Sequence, residues 1–463
     1  MNTNAIKKFE AYLLTMTTKI ISTLILLLII GFQSNAAKYY CDPSSVNRIA
    51  NGALASPWKN IDEVNNGTKT LLAGDTVFFK RGQLFTGRLN IENSGTAKNP
   101  IVYSAYGKGN LPIFDNAISA IIILRNLSYI VIDSIQFTDN SLVDPLHQIP
   151  ANSSIAILLY NSPHCTISNC DFSLMGIGIA TFIGSNYTTI TGNRIHNLRM
   201  VRNTPSLKNK NDDYGAVPIV IASSFNTITN NRMEDCWALS YDYGYDGGAI
   251  ELFGTDMNNN FIAYNTAINC NGFIEIGSNS NGTANNNIVA YNKIINCGTL
   301  GVFQNGGDYA ASISNFQYYN NTIIETVKQF TIPGELFYKA DNKGPAGMIV
   351  LKNNIFWCSN GTIIAGNNFN NKSMLRSHNV YRMQNSGLGS ITLAPNEFLS
   401  SSAKIFSTEN NDPSSWNCSL PKGSIAINFG ISVGLFSDMK GNLINSNPDA
   451  GAYEYATPNS THR

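Results

Sequence analysis

NTITNNRMEDC (226–236), NFIAYNTAINC (260–270) and NNIVAYNKIINC (286–297) share one pattern. An apolar residue and two spacers lead to an Asn, and a Cys follows five residues later. Asn231, Asn265 and Asn292 are therefore equivalent, as are Cys236, Cys270 and Cys297. After each comes a short apolar strand: GAIELFG (248–254), GFIEIGS (272–278), LGVFQNG (300–306). Self-similarity at this spacing predicts a solenoid. One coil leaves a strand edge and an apolar face open, and the next coil covers both. Asn side chains at one turn position can then bond amide to amide between coils, while Ile and Val fill the inward strand positions. Looser copies are IVIDSIQF (130–137), CTISNCDF (165–172), TTITGNRI (188–195) and YYNNTIIET (318–326). MIVLKNNIFWC (348–358) restores the pattern, which puts Asn353 and Cys358 in the same register.

The chain has 463 residues, only 13% of them charged, and a net charge of +1. Without a global field or a basic stripe carrying aromatics, nucleic acid and anionic membranes are not expected partners. Lys19 precedes the apolar run Ile20–Phe32, with small residues Ser34-Asn35-Ala36-Ala37 after it. That run is too short for a membrane span of about 20 residues and fits a signal peptide cleaved after Ala36 or Ala37. A secreted, periplasmic or cell-surface monomer, with no stable membrane insertion, is the expectation. The eight Cys would suit a disulfide framework in such a compartment. The shared register instead predicts a buried column of thiols behaving as small hydrophobes.

Five regions follow: leader 1–37, cap and first coils 38–117, repeats 118–358, irregular coils and end 359–455, tail 456–463. In SPWKNIDEVN (56–65) a short cap helix is predicted, with Ser56 at its start and Ile61 and Val64 on one face. Intervals between repeat Asn residues expose insertions. Asn265 to Asn292 is 27 residues, Asn193 to Asn231 is 38 and Asn231 to Asn265 is 34. The surplus falls in 199–215, in WALSYDYGYDG (237–247) and, before Asn353, in 333–345. Long loops on a rigid scaffold are where function tends to sit.

SPW, AGDTV, FKRG, SGT, NPI and AYG near the start, with SIAINFG (424–430), Asp438, Gly441 and PDAGAYEY (448–455) near the end, resemble secreted bacterial right-handed parallel β-helix proteins of the pectate-lyase-like superfamily. The resemblance implies an all-β fold, a single right-handed parallel β-helix with an N-terminal cap helix. It does not imply one reaction, because this fold carries lyases, hydrolases, epimerases and adhesion proteins.

The strongest candidate chemistry is a pair of acids. With Ile250, Leu252, Ile274 and Ile276 inward, Glu251 and Glu275 point outward one coil apart, their backbones about 5 Å from each other. Such a pair must share a proton, hold a metal or splay into water. If its pKa values split, it supplies an acid and a base or nucleophile, at the spacing of retaining glycosidases. Asp242 and Asp246 precede Glu251 and complete the catalytic candidates. Trp237, Tyr241, Tyr243 and Tyr245 offer faces for sugar rings, and Arg199, Arg202 and Asp308 are further candidate contacts. Asp212 and Asp213 are the candidate metal ligands, with calcium the implied ion.

Over 211–292 the acids outnumber the strong bases, leaving Arg232, with Lys293 at the border. That balance favours a polysaccharide-cleaving glycoside hydrolase. The alternatives are a calcium-dependent lyase on uronate glycans, using a loop Arg or Lys, and a glycan-binding or adhesion solenoid without catalysis. His164 and His196 read as turn residues.

Overall fold

The computed structural model describes residues 36–115, 119–140, 142–144, 149–150, 153–205, 207, 210–327, 334–339 and 344–455. The chain divides into Met1–Ala37 and one compact unit, Lys38–Arg463. Of the first, only Ala36 and Ala37 are described, so the leader lies outside the described residues, as does the tail 456–463.

Three long sheets make up the compact unit, with 12, 12 and 11 strands among the described residues. Every coil contributes one strand to each sheet in turn. Thr227–Thr229, Arg232–Glu234 and Ile250–Phe253 are followed one coil later by Phe261–Ala263, Thr266–Ile268 and Ile274–Gly277. Successive strands pair in parallel, without slippage across these coils. This is a parallel β-helix. One apolar core runs along its axis, each coil adding residues such as Ile228, Met233, Ile250 and Leu252, all at most 1% exposed. A buried aliphatic side chain contributes about 1.5–3 kcal/mol.

The turn between the first and second sheets explains the Asn periodicity. Asn230, Tyr264, Tyr291, Asn320, Asn353 and His378 all have positive φ, between 51° and 60°. This places the next residue's side chain inward. Asn193, Asn231, Asn265, Asn292, Asn321, Asn354 and Asn379 form one continuous amide ladder. Within it, Asn231 Nδ2 donates to Asn265 Oδ1 at 3.0 Å and to the Ile190 carbonyl at 2.9 Å. Asn226, Asn260 and Asn287 make a second ladder at the start of the first-sheet strands.

Two register expectations change here. The ladder residue is Asn354, not Asn353, which occupies the left-handed position before it. Cys358 consequently leaves the thiol column: it pairs with Glu325 in the second sheet, because the last strands there continue extended where earlier coils turn at Asp235, Asn269 and Asn296. Cys236, Cys270 and Cys297 do form a column, the Cys270 thiol lying within interaction distance of both neighbours. All eight cysteines are buried free thiols, and burial pushes Cys270 and Cys297 well above the ordinary thiol range.

At the N-terminal end the helix is Ile61–Gly67, shorter and later than expected. Asn60, not Ser56, caps it, accepting from the Glu63 N–H at 2.9 Å, and Glu63 in return accepts from the Lys59 N–H at 2.7 Å. Residues before it stay extended because Trp58 bridges to Cys41. Ile61 and Val64 are buried in the core.

Past Phe398–Ser400 the chain stops coiling and folds back along the outside. Ile405, Phe406, Trp416 and Leu420 cover Ile295, Ile324 and Trp357 on the outer face of the second sheet. Val433, Leu435 and Ile444 cover Tyr291, Tyr319 and Val350 on the first. The PDAGAYEY segment is clamped there: Asn320 Nδ2 donates to the Asp449 carbonyl at 2.9 Å, and the Gly451 N–H to the Asn353 carbonyl at 2.7 Å.

Candidate active site

Glu251 and Glu275 are direct partners in the third sheet. On its outward face one row of side chains runs Leu158, Ala180, Val220, Glu251, Glu275, Val302, Tyr338. The acids therefore sit side by side between valines, and apolar neighbours on both sides withhold water from them.

Insertions 199–215 and 237–247 fold as antiparallel hairpins, Met200–Arg202 with Tyr214–Gly215 and Ala238–Ser240 with Gly244–Asp246. Both leave the chain between the second and third sheets and reach over the row. The third surplus is placed differently: within 333–345, Glu335–Lys339 is the regular third-sheet strand of its coil. The extra residues flank it, and 328–333 and 340–343 lie outside the described residues.

Under the hairpins is a cavity of about 40 Å³, lined by Tyr214, Val217, Asp246, Glu251, Glu275 and Val302 among others. That admits two or three waters, at about 15 Å³ each by this measure, not a sugar ring. Asp246 closes it from the second hairpin. Its Oδ1 accepts from the Gly247 N–H at 2.8 Å, and the Gly215 N–H also bonds to it, so one carboxylate links both hairpins. Gly247 has a φ of +117°, and a Cβ there would meet the Cys236 carbonyl at 2.9 Å; only glycine allows this approach.

The three acids differ in their partners. Gln304 Nε2 donates to Glu275 Oε1 at 2.5 Å. Tyr214 hydrogen-bonds to Glu251. Glu251 Oε2 and Asp246 Oδ2 are buried without a hydrogen-bond partner among the described residues. Burial, then the charges of Glu275 and Asp246, hold Glu251 well above the usual carboxylate range. Burial also raises Glu275, against the Gln304 amide, which favours its charged form. Asp246 is pushed up to about 8, chiefly by burial, with Glu275 adding to it. Tyr214 favours the charged form of Glu251 as Gln304 does that of Glu275, but only on Glu251 do neighbouring charges add to burial.

Asp242 does not reach this cavity. Its Oδ2 accepts from the Asp212 N–H at 3.0 Å, and its own N–H donates to Asp213 Oδ2 at 2.9 Å. Asp213 also accepts from Ser240 Oγ at 2.6 Å and the Thr204 N–H at 2.7 Å. Carboxylate oxygens of Asp212, Asp213 and Asp242 lie within 4.8 Å of one another, close enough for a cation. N–H and O–H donors already hold Asp213 and Asp242, and Arg202 lies 3.8 Å from Asp212. The cluster acts as a clasp between the hairpins.

Arg199 donates to the Asp139 carbonyl at 3.2 Å and is absent from the cavity lining. Trp237 and Tyr245 pack edge to face at the hairpin base, 5.5 Å apart. Tyr241 and Tyr243 are exposed, 40% and 39%, and Tyr243 lies within electrostatic reach of Asp246, Glu275 and Tyr309. Asp308 is exposed in the 3-10 turn Gly307–Tyr309. Its neighbour Tyr309, which sequence reasoning missed, crosses from the opposite edge and donates to the Asn211 carbonyl at 3.3 Å. Tyr214 and Gln304 were missed too, although Gln304 stands 29 residues after Glu275, one coil on. His164 is stacked between Tyr129 and Tyr187, and His196 is held by Asp171 at 3.3 Å on the second sheet.

The chain is similar to pectate lyase Pel9A, with a TM-score of 0.58 and 13% identity over 91% of this chain and 97% of that one. The fold is the pectate-lyase-like right-handed parallel β-helix. The GH136 lacto-N-biosidase from Eubacterium ramulus shares it, with a TM-score of 0.52, 13% identity and coverage of 82% and 70%. So does XylC in its complex with xylose, with a TM-score of 0.51, 10% identity and coverage of 90% and 98%. No family model and no curated protein matches the sequence. These β-helix neighbours include carbohydrate-active hydrolases and lyases, so at such identity they establish architecture and leave the reaction to the site.

Proposed function

We propose that this protein hydrolyses glycosidic bonds, with Glu251 as general acid and Glu275 as nucleophile. The observation that carries this reading is the in-register pair on the outward face, enclosed by hairpins and unequally hydrogen-bonded. Protonated Glu251 gives its proton to the departing sugar oxygen as the glycosidic C–O bond breaks. Glu275 takes the anomeric carbon, forming a glycosyl ester. Water then attacks that carbon, Glu251 accepts its proton, and Glu275 leaves as carboxylate. Adjacent parallel strands, about 4.8 Å apart, suit this retaining geometry better than the wider gap of an inverting one.

Among the described residues no Lys or Arg lines the cavity, which supports hydrolysis over uronate elimination, and three facing acids disfavour an anionic sugar. Both acids are raised, so the pH–rate profile is displaced upward. Activity rises as Glu275 ionises above the ordinary carboxylate range and falls as Glu251 loses its proton at higher pH. A sugar ring needs more room than the cavity holds, so binding requires displacement of the Tyr309–Asn211 crossing.

Incubation with neutral and uronate polysaccharides tests the reading. New reducing ends without an ultraviolet-absorbing unsaturated product are expected. Unsaturated ends would make it a lyase, and retained binding without products would make it a glycan-binding solenoid. Export through the Ile20–Phe32 leader belongs to the same proposal. Sequencing the exported protein should find Ala37 or Lys38 first.

A further inference from the structure

The row of outward side chains on the third sheet is treated differently on the two sides of the acid pair. Toward the earlier coils Ala180 and Val220 point outward, yet they are 0% and 2% exposed. With Ile177 and Val217 they form an apolar patch covered by Val201 and Tyr214 of the first hairpin. Its own two strands lie close together: a Cβ on Gly215 would meet the Val201 nitrogen at 2.3 Å. The Asp212–Asp213–Asp242 clasp ties it to the second hairpin, and Asn203 adds a further tie, donating to the Leu239 carbonyl at 2.8 Å. Lifting it would expose all four apolar side chains. Toward the later coils the row continues through Val302 and Tyr338, which remain partly exposed. On that side Tyr309 donates to the Asn211 carbonyl in a hydrogen bond that lies at an exposed position.

We propose that the cleft is a dead end that takes the terminus of a glycan chain, so cleavage releases a short unit from one end. The hairpin wall at Val201 and Tyr214 stops the chain immediately beyond Glu251, and the remaining sugars extend over Val302 and Tyr338. A chain threaded in both directions would have to cross the buried patch. This inference rests on Glu251 and Glu275 being the reacting pair.

The test uses the full mature chain with xylohexaose, cellohexaose and lacto-N-tetraose. Each is supplied free, tagged with 2-aminobenzamide at the reducing end, or blocked by a methyl ether at O4 of the non-reducing end. For the glycan cleaved, one short product should appear from the earliest times. Blocking one particular end should slow cleavage by about 100-fold, since the blocked end can no longer be placed against the pair. Early mixtures of intermediate lengths, with less than about a two-fold effect from either block, would overturn the dead end while leaving the hydrolase reading standing. No cleavage of any glycan that binds would remove both together.

Discussion

At the scale of single residues, two neighbouring carboxyl groups differ in their partners. Glu275 has the Gln304 amide, while Glu251 has Tyr214 and one buried oxygen with no partner among the described residues. Glu251→Gln should keep shape and lose the proton, lowering kcat by about 10²–10⁴-fold; Glu275→Gln should do the same by removing the nucleophile. Steady-state kinetics on the responsive glycan check this, and full activity in either variant would remove that residue from the chemistry. Asn265 makes a contrasting case. It is fully buried, and its amide accepts from Asn231 and donates to Asn292 and the Ile228 carbonyl. Asn265→Ala strands buried partners on both adjoining coils, each at about 1–3 kcal/mol. Asn315→Ala, at an exposed turn that donates to Asn286, should cost well under half as much in a denaturant titration.

At the scale of elements, the first hairpin rests on an apolar patch and polar ties join the two hairpins to each other. Asp213 alone gathers Thr204, Ser240 and Asp242. Asp213→Ala should free both hairpins while the coils beneath stay folded, since local opening draws on less than the global stability. Limited proteolysis should then cut within 203–213, activity should fall about ten-fold as positioning is lost, and the main melting transition should barely move. Donors already hold these carboxylates, so a chelator should leave melting temperature and activity unchanged. A clear rise in melting temperature on adding calcium would show that the clasp takes an ion after all.

At the scale of the molecule, the amide ladder and the buried acids act along the whole axis. Each ladder amide donates toward the C-terminal end, and the last, Asn379, donates to Glu397 at 2.7 Å. A negative charge at the donor end of aligned amides is favourable, as at a helix N-terminus, and Arg376 at 3.3 Å balances it. Asp246, Glu325 and Glu454 are each pushed up to about 8 by burial, and Glu251, Glu275 and Asp449 move the same way. Unfolded, such groups titrate near about 4. Folded-state values raised above unfolded ones mean stability is full below about pH 4 and is lost as pH rises through about 8. Asp42, Asp133 and Glu234 are lowered and act oppositely, but they are less buried and more screened. The melting temperature should therefore fall from about pH 5 to about pH 9. Glu325→Gln, which keeps an acceptor for the Cys297 and Gly298 N–H groups at 2.9 and 3.0 Å, should narrow that gap; an unchanged gap would show that Glu325 does not titrate in the core. The sequence by itself determined the parallel coils, the Asn and Cys columns and the outward pairing of Glu251 with Glu275. Those contacts join each coil to the next, so they recur at one coil's spacing and leave a period in the chain. Only the tertiary structure decided what covers that period. Adjacent asparagines hid the one-residue shift at Asn354, because the turn conformation, not composition, selects which of the two points inward. Tyr309 reaches Asn211 across 98 residues, and Tyr264 reaches the Ser437 carbonyl across 173. Such contacts occur once, have no spacing to repeat, and depend on how far a loop carries its side chains over a surface that the coils must first build.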